Sequence, residues 1–115
     1  DFTVYYEDLF IMMTVNGARV LGEEKLGRIA PGYKADIAFW KLRDRGFIPF
    51  DENDPKTLVG NIISHGGRNI RDLMINGRFV ISNRVHNFVN ETELLDDIQS
   101  AHMEVRALVE AEKGM

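Results

Sequence analysis

Three histidines, His65, His86 and His102, have the most obvious capacity for chemistry in this sequence. Zinc sites built on histidine repeat the ligand at short intervals, as in H-x-H, H-x-x-x-H or H-x-x-E-H. None of these intervals occurs here. His65 is the best placed, because Gly66 and Gly67 after it give an adaptable backbone. A lone histidine is more often structural or solvated than metal-bound, so we predict no ligand role for any of them.

The acidic residues and the serines also lack the spacing of known metal-binding or catalytic sites. Asp51, Glu52 and Asp54 form an acidic cluster, but they lack the regular oxygen-ligand spacing of a calcium loop. We therefore expect a solvated acidic turn. Ser64 and Ser82 lack the G-x-S-x-G context of a nucleophilic serine. Taken residue by residue, the sequence predicts no catalytic, cofactor-binding or metal-binding residue.

Composition narrows the class of protein. The chain has 115 residues, of which 44% are apolar and 28% charged, as in one small globular domain. Its net charge of −4, with no basic block, argues against a nucleic-acid partner. No apolar run is long enough to span a membrane, and the start does not resemble a signal peptide. With no cysteine, disulfides and thiolate ligands are excluded, and we expect a cytoplasmic protein.

The first part of the chain is predicted to be helical. Glu7–Met13 is apolar on nearly every face after Asp8, which is typical of a helix buried on most sides. Thr14 is placed to cap a second short helix that stops at Gly22. Pro31-Gly32 then predicts a tight turn, because proline suits its second position and glycine its third.

Short strands and a loop are expected next. Ala35–Trp40 carries apolar residues on both faces beyond Asp36, which indicates an interior strand covered on both sides. Lys41–Pro55 is predicted to be a loop with one extended stretch at Phe47-Ile48. A short helix is expected to follow, with Asp54 as its cap and Pro55 at its first position. The aromatic residues of this region are predicted to pack in a core: Phe39, Trp40, Phe47 and Phe50.

The last third of the chain carries the clearest local signals. Ile70–Ile75 and Arg78–Ser82 flank Asn76-Gly77, the pair best suited to a two-residue hairpin turn. Asn90 and Glu93 have the spacing of a capping pair and open a helix that runs to about Lys113. Its apolar residues recur at intervals of four and three, so the helix should dock along one face.

Four segments, taken in order, resemble a known family. They are TVNGARVLG (residues 14–22), LGRIAPGYKADIAFWKL (26–42), TLVGNIISHG (57–66) and IRDLMINGRFVISNR (70–84). Within the second, G-x-I-x-P-G-x-x-A-D stands intact. Their order and spacing resemble the C-terminal region of metal-dependent amidohydrolases, in particular the branch of cytosine, guanine and S-adenosylhomocysteine deaminases and triazine chlorohydrolases. The resemblance covers roughly residues 7–110.

The resemblance implies an α+β fragment of a larger enzyme. In that family a (β/α)₈ barrel carries the metal site, and segments before and after the barrel build a composite β-sandwich. By this resemblance, residues 1–22 are the last barrel helix and a short successor. Residues 26–86 are the C-terminal half of the composite β-sandwich, and residues 90–113 a C-terminal amphipathic helix against the barrel wall.

The implied activity is hydrolysis of a C–N or C–Cl bond on a purine-like, pyrimidine-like or triazine-like substrate. Family members bind a divalent metal, usually zinc, through an H-x-H pair, a further histidine and an aspartate. All of these would precede Asp1, and neither Asp1 nor Asp8 replaces them. Phe50 stands where the family usually has histidine before Asp51, which leaves the substrate subclass open. This piece alone is therefore expected to bind no metal and to be inactive.

Two hypotheses follow. In the first, the chain is a structural portion whose partner is the remainder of the parent polypeptide, with a homo-oligomer possible. The missing initiator methionine is in keeping with a fragment. In the second, the chain is a free-standing β-rich interaction or binding module without catalysis. The apolar helix Glu7–Met13 favours the first, because a small module has little to cover it with. An upstream reading frame of about 300 residues, enough for a barrel, with H-x-H would decide between them.

Overall fold

The computed structural model describes residues 3–114 of the chain and shows an α+β architecture, as predicted. The regular helices are α1 (Tyr6–Ile11), α2 (Gly17–Val20), α3 (Pro55–His65) and α4 (Glu91–Lys113). The strands are β1 (Ile37–Trp40), β2 (Ile70–Ile75), β3 (Arg78–Ser82) and β4 (Val85–His86), in the sheet order β1-β2-β3-β4. The chain divides into two compact units, one through Val85 and one from His86 onward.

The helical start differs from its prediction. A π-helical segment, Met12–Asn16, joins α1 directly to α2 without a break. The prediction that Thr14 caps a second helix is wrong, because its hydroxyl donates to the carbonyl of Phe10 at 2.7 Å, one turn back. Thr14 lies inside an uninterrupted helical stretch, so no helix begins there and no helix start is left for its side chain to cap. The Gly22 stop is confirmed, since its φ is +76°.

Helix α1 packs on α3 through a close approach at Gly60. A Cβ added there would lie 3.1 Å from the Tyr6 ring, so the bare backbone of α3 makes room for the aromatic ring. An ion pair between Lys56 Nζ and Glu7 Oε1, at 3.2 Å, spans the same two helices. The prediction that this helix is buried on most sides is wrong for the chain itself, because Met12 and Met13 remain 59% and 60% exposed. Nothing in the described chain covers that face.

Strand β1 lies at an edge of the sheet. It pairs antiparallel with β2, with Ile37 opposite Met74, and a bulge follows Phe39. The prediction of an interior strand is therefore wrong for this chain, and the strand is shorter than Ala35–Trp40. Its apolar pattern on both faces is real, but within residues 3–114 only one of its two edges has a neighbouring strand.

The hairpin is confirmed in full. β2 and β3 pair antiparallel, and the two turn residues have positive φ, +50° at Asn76 and +78° at Gly77. Asn76 N–H also donates to Asp36 Oδ1 at 2.7 Å, which ties the turn to the segment before β1. A second turn with positive φ at Asn83 and Arg84 leads into β4, a strand that the sequence did not predict.

Two caps and one turn formed as predicted. Asp54 accepts from Lys56 N–H at 3.2 Å, with Pro55 beginning α3, which is longer than the short helix expected. Asn90 accepts from Glu93 N–H at 3.2 Å at the start of α4. The turn at Pro31-Gly32 closes through Tyr33 N–H and Ala30 C=O at 3.1 Å. Each of these signals acts over a few residues, which is why the sequence alone reveals it.

The second unit consists mainly of α4, a helix of 23 residues without a buried residue. Its large apolar side chains are exposed to solvent, and Leu108 is 69% exposed. The other large ones are Leu94, Leu95, Ile98, Met103, Val105 and Val109. The predicted docking of one face is therefore not made by the chain described here. Among residues 3–114, every helix is too short or too polar to cross a bilayer.

Candidate functional site

The most constrained side chains of the first unit surround Phe47. Phe47 is 1% exposed and is the largest fully buried side chain among the described residues. The His65 ring lies against it, with ring centroids 5.9 Å apart. The predicted extended stretch at Phe47-Ile48 is wrong, because Phe47 N–H closes a turn to Asp44 C=O at 3.2 Å. The turn directs Phe47 inward, and the prediction that it packs in a core is confirmed.

Side chains from elsewhere in the unit hold this loop in place. His65 Nε2 lies 2.7 Å from the carbonyl oxygen of Gly46 and must donate, because a carbonyl only accepts. Asn69 Nδ2 donates to the carbonyl of Arg45 at 2.8 Å. The guanidinium of Arg84 pairs with the carboxylate of Asp44. We call residues 44–47 with these partners the anchored loop.

Gly46 explains how His65 comes so close. Its φ is +89°, a backbone conformation that residues other than glycine rarely adopt. A Cβ at this position would lie 2.6 Å from His65 Nε2, closer than real contacts allow. The role of Gly46 was not predicted from the sequence, although a glycine after Asp44-Arg45 is a turn signal. The structure gives His65 a structural role: it fixes a loop carbonyl.

The remaining candidates are not brought together. His86 is in β4 and His102 in α4, and both are exposed. Asp51 accepts from Asn53 N–H at 2.9 Å, so part of the acidic cluster closes a turn as expected. Ser64 ends up on α3 and Ser82 on β3.

Trp40 and Phe50, two of the predicted core aromatics, are half-buried. The Trp40 indole N–H donates to the carbonyl of Gly66 at 2.8 Å, which ties β1 to the end of α3. Asp8 accepts weakly from Tyr5 N–H at 3.3 Å at the start of α1, a helix-terminal role. Asp1 lies outside the described residues.

Two carboxylates have shifted acidities, and both belong to structural contacts. The backbone N–H of Asn83 and then the Arg71 guanidinium lower the pKa of Asp72 from its ordinary 3.8. A backbone hydrogen bond at Glu7 itself, and then the Lys56 ammonium, lower the pKa of Glu7 from 4.5. Each shift stabilises a charged carboxylate at neutral pH. A catalytic acid needs the opposite shift.

Comparison with known proteins assigns the chain to a family. The family model described as "Amidohydrolase family" matches residues 3–80, more than half of the chain. The chain belongs to the amidohydrolase family. The resemblance inferred from the four sequence segments is therefore confirmed.

Individual relatives agree. The 5-methylthioadenosine/S-adenosylhomocysteine deaminase of Pyrococcus abyssi is 39% identical over 90 residues, which cover 78% of this chain but 20% of that protein. The corresponding deaminase of Halothermothrix orenii is 33% identical over 88 residues, which cover 76% of this chain and 20% of that protein. The chain thus spans about a fifth of the length of the curated relatives that it matches.

A solved structure shows the same fold. A zinc-bound adenosine deaminase from Xanthomonas campestris superposes with a TM-score of 0.76 at 20% identity, covering 89% of this chain and 23% of that one. At this identity the likeness concerns the fold alone. It shows that most of the chain folds like the matching part of that deaminase.

The described residues do not fit the zinc that this solved relative holds. Within residues 3–114, no three His, Asp or Glu side chains stand close enough to share a metal ion. His65, the best-placed candidate, uses Nε2 to hold Gly46. We therefore derive no catalytic step from these residues.

Proposed function

We propose that the chain is the structural C-terminal portion of a metal-dependent hydrolase. The observation that carries the proposal is the family match at residues 3–80 in a chain that spans about a fifth of its relatives. In this proposal the remainder of the polypeptide supplies the (β/α)₈ barrel, the metal ligands and the proton-transfer groups. The chain supplies the last barrel helix, part of a composite β-sandwich and α4.

The exposed apolar surface supports this division of labour. Of the large apolar side chains in the described range, Phe47 is fully buried, whereas Met12, Met13 and much of α4 face solvent. Burying a large apolar side chain is worth about 1.5–3 kcal/mol. A chain with this much uncovered surface is better explained as part of a larger fold than as a self-contained module.

The open edge of β1 supports the composite sandwich in the same way. The strand has apolar residues on both faces but a neighbour on one edge only. An unpaired edge presents backbone N–H and C=O groups that another strand can satisfy. We propose that a strand from the rest of the polypeptide pairs there, which would make β1 the interior strand that its sequence predicts.

The reaction proposed for the complete protein is hydrolysis at a ring carbon. The oxygen of water forms a bond to that carbon while the C–N or C–Cl bond breaks. The amino group takes a proton from that water and leaves as ammonia, whereas chloride leaves as the anion and the proton is released to solvent. The deaminase names of the relatives favour a purine-like substrate with an exocyclic amino group. The similarity to atrazine chlorohydrolase from Arthrobacter aurescens TC1, with a TM-score of 0.70 at 23% identity and covering 84% of this chain and 20% of that one, keeps a triazine as the second class. A cytoplasmic location remains a prediction from the cysteine-free composition.

The test compares the complete polypeptide with residues 1–115 alone. Both are assayed for ammonia release from 5′-methylthioadenosine and S-adenosylhomocysteine, for chloride release from atrazine, and for zinc content. We expect activity and stoichiometric zinc in the complete polypeptide, and neither in residues 1–115.

The alternative, a free-standing binding module, predicts a different outcome. If the chain is such a module, the complete polypeptide should hydrolyse none of these substrates and should have no H-x-H segment upstream of residue 1. Tightly bound zinc in residues 1–115 would contradict the proposal from the other side, because it would require ligands such as His65 or the Asp51 cluster. Asp51→Asn is the control for that case, since it removes an acidic ligand without touching the anchored loop.

A further inference from the structure

A cleft of about 430 Å³ lies between α2 and the loop that follows it, away from the anchored loop. Arg19 of α2 and Arg28 of the loop both line it, and Tyr33 forms part of its wall. The volume is within the range of about 300–1,000 Å³ found for small-molecule sites. Neither the family match nor the proposed hydrolysis assigns a role to this cleft.

The two arginines are available for a ligand. Within residues 3–114, neither guanidinium has an ion-pair or hydrogen-bond partner, whereas Arg71, Arg84 and Arg106 are each paired with a carboxylate. A guanidinium presents its N–H donors as a planar fork that fits phosphate or carboxylate oxygens. Two unpaired forks on one concave surface are an arrangement that binds an oxyanion.

The loop that carries Arg28 is held firmly. Glu23 N–H donates to the carbonyl of Ala18 at 2.9 Å, and Lys34 N–H donates to the carbonyl of Lys25 at 2.7 Å. At Gly27 the loop touches the π-helical segment so closely that a Cβ would lie 2.7 Å from the Thr14 carbonyl oxygen. A loop fixed at three points holds the Arg28 backbone at the cleft, which lowers the entropic cost of binding.

The acidic residues at the cleft do not cancel the arginines. Glu23 is paired with Lys34, with Oε2 and Nζ 2.7 Å apart. Glu24 lines the cleft without a partner of its own in the described part of the chain. Lys25 does not line the cleft, although its Nζ lies 5.9 Å from the centre of the Tyr33 ring. Two arginines and two glutamates line the cleft, and because Glu23 is paired, the unpaired charges are those of Arg19, Arg28 and Glu24.

We propose that this cleft binds a small molecule through a phosphate or carboxylate group, with Arg19 and Arg28 holding the oxyanion. Leu26 and the Tyr33 ring form the wall against which the rest of the ligand lies. The proposal does not depend on the hydrolase function.

The experiment is calorimetric titration of the complete polypeptide with inorganic phosphate and, separately, with succinate at low ionic strength. We expect Arg19→Gln and Arg28→Gln each to weaken binding about tenfold, as for loss of a hydrogen bond to a charged group. Glu24→Gln should tighten it about twofold to fivefold, since one exposed like charge is removed. The arm that binds, phosphate or succinate, identifies the oxyanion.

Arg106→Gln on α4 is the matched control, because it makes the same change of net charge at a residue that does not line the cleft. Arg19 and Arg28 are exposed, so circular dichroism should show an unchanged fold in both variants. Binding that falls equally in Arg106→Gln would reduce the effect to net charge and overturn the proposal. Absence of binding to the unmodified protein would overturn it as well, as would binding indifferent to Glu24→Gln and to both arginine variants.

Discussion

The anchored loop and helix α4 differ in how far their apolar side chains are buried. The loop has no regular secondary structure, yet Phe47 in it is 1% exposed. Helix α4 is regular over 23 residues, yet none of them is buried. The loop is held by His65 and Asn69, which lie 19 and 24 residues away from their partners, whereas α4 depends on its own cap and backbone. Regularity comes from local signals, and burial comes from distant partners.

The largest effect should appear when the chain is studied without the rest of its polypeptide. We expect residues 1–115 to self-associate or to be partly ordered, because several exposed side chains each forgo about 1.5–3 kcal/mol of burial. Sedimentation velocity over a range of concentrations measures this. A strictly monomeric, cooperatively unfolding species at high concentration would instead favour the free-standing module.

Phe47→Ala should be the most damaging single change in the first unit. Removing a buried phenylalanine costs about 3–5 kcal/mol, because it loses burial and leaves a cavity. Leu108→Ala is the control from α4, where an exposed side chain should change stability by less than about 0.5 kcal/mol in residues 1–115. Urea unfolding followed by Trp40 fluorescence and by circular dichroism reports both. Equal losses would mean that α4 is covered after all.

Gly77→Val should destabilise the hairpin by roughly 1 kcal/mol or more, since a β-branched residue resists φ > 0. No atom lies within 4 Å of the added Cβ, so the cost is one of backbone conformation and not of collision. Gly67→Val is the comparison, because that site is equally open and needs no positive φ. Thermal unfolding of the two variants should separate them. Similar melting temperatures would show that the turn tolerates side chains.

Asn90→Ala should cost about 0.5–2 kcal/mol of helix stability, the usual value for loss of an N-cap. Because none of the described residues of α4 is buried, we expect the loss as fraying, visible as weaker helical circular dichroism. Asp54→Ala removes the same kind of cap from α3, which packs on α1. If Asp54→Ala frays its helix as much as Asn90→Ala does, packing adds nothing to α3.

The smallest effect concerns pH. The pKa of Asp72 in the folded chain is below its ordinary 3.8, so the contribution of this carboxylate is complete above about pH 4. It is lost as the pH falls through the lowered value, when the carboxylate that accepts from Asn83 becomes protonated. Asp72→Asn should therefore flatten the decline in melting temperature below about pH 4. If the melting temperature of Asp72→Asn declines below about pH 4 as steeply as that of the unmodified chain, Asp72 is not the source of the decline.

The features that could be predicted from sequence are those encoded within a few residues. The Asn76-Gly77 turn, the Pro31-Gly32 turn and the two helix caps each need only neighbours in the chain. The assignment to a family also came from sequence, through four segments in a fixed order. No catalytic or metal-binding residue was predicted within the chain, and that expectation remains a prediction for biochemical test.

Most of the features that could not be predicted depend on residues far apart, and one is local but has no sequence signature. Gly46 acquires its importance from a hydrogen bond to His65, and neither residue has a motif that announces the other. The edge position of β1 depends on which strands are present, although its apolar pattern describes an interior strand. The π-helical segment Met12–Asn16 has no sequence signature, and a threonine with capping chemistry lies inside it.

That π-helical segment affects how the chain can change in length. A π-helical turn behaves as an α-helix that has accommodated one additional residue. Loss of one residue within 12–16 would restore ordinary α-helical spacing while keeping α1 and α2 in phase. The same deletion inside α3 would rotate its far end by about 100°, and inside β2 it would exchange the two faces of the strand. Among homologous sequences, single-residue gaps should therefore accumulate at this turn and be rare in α3 and β2.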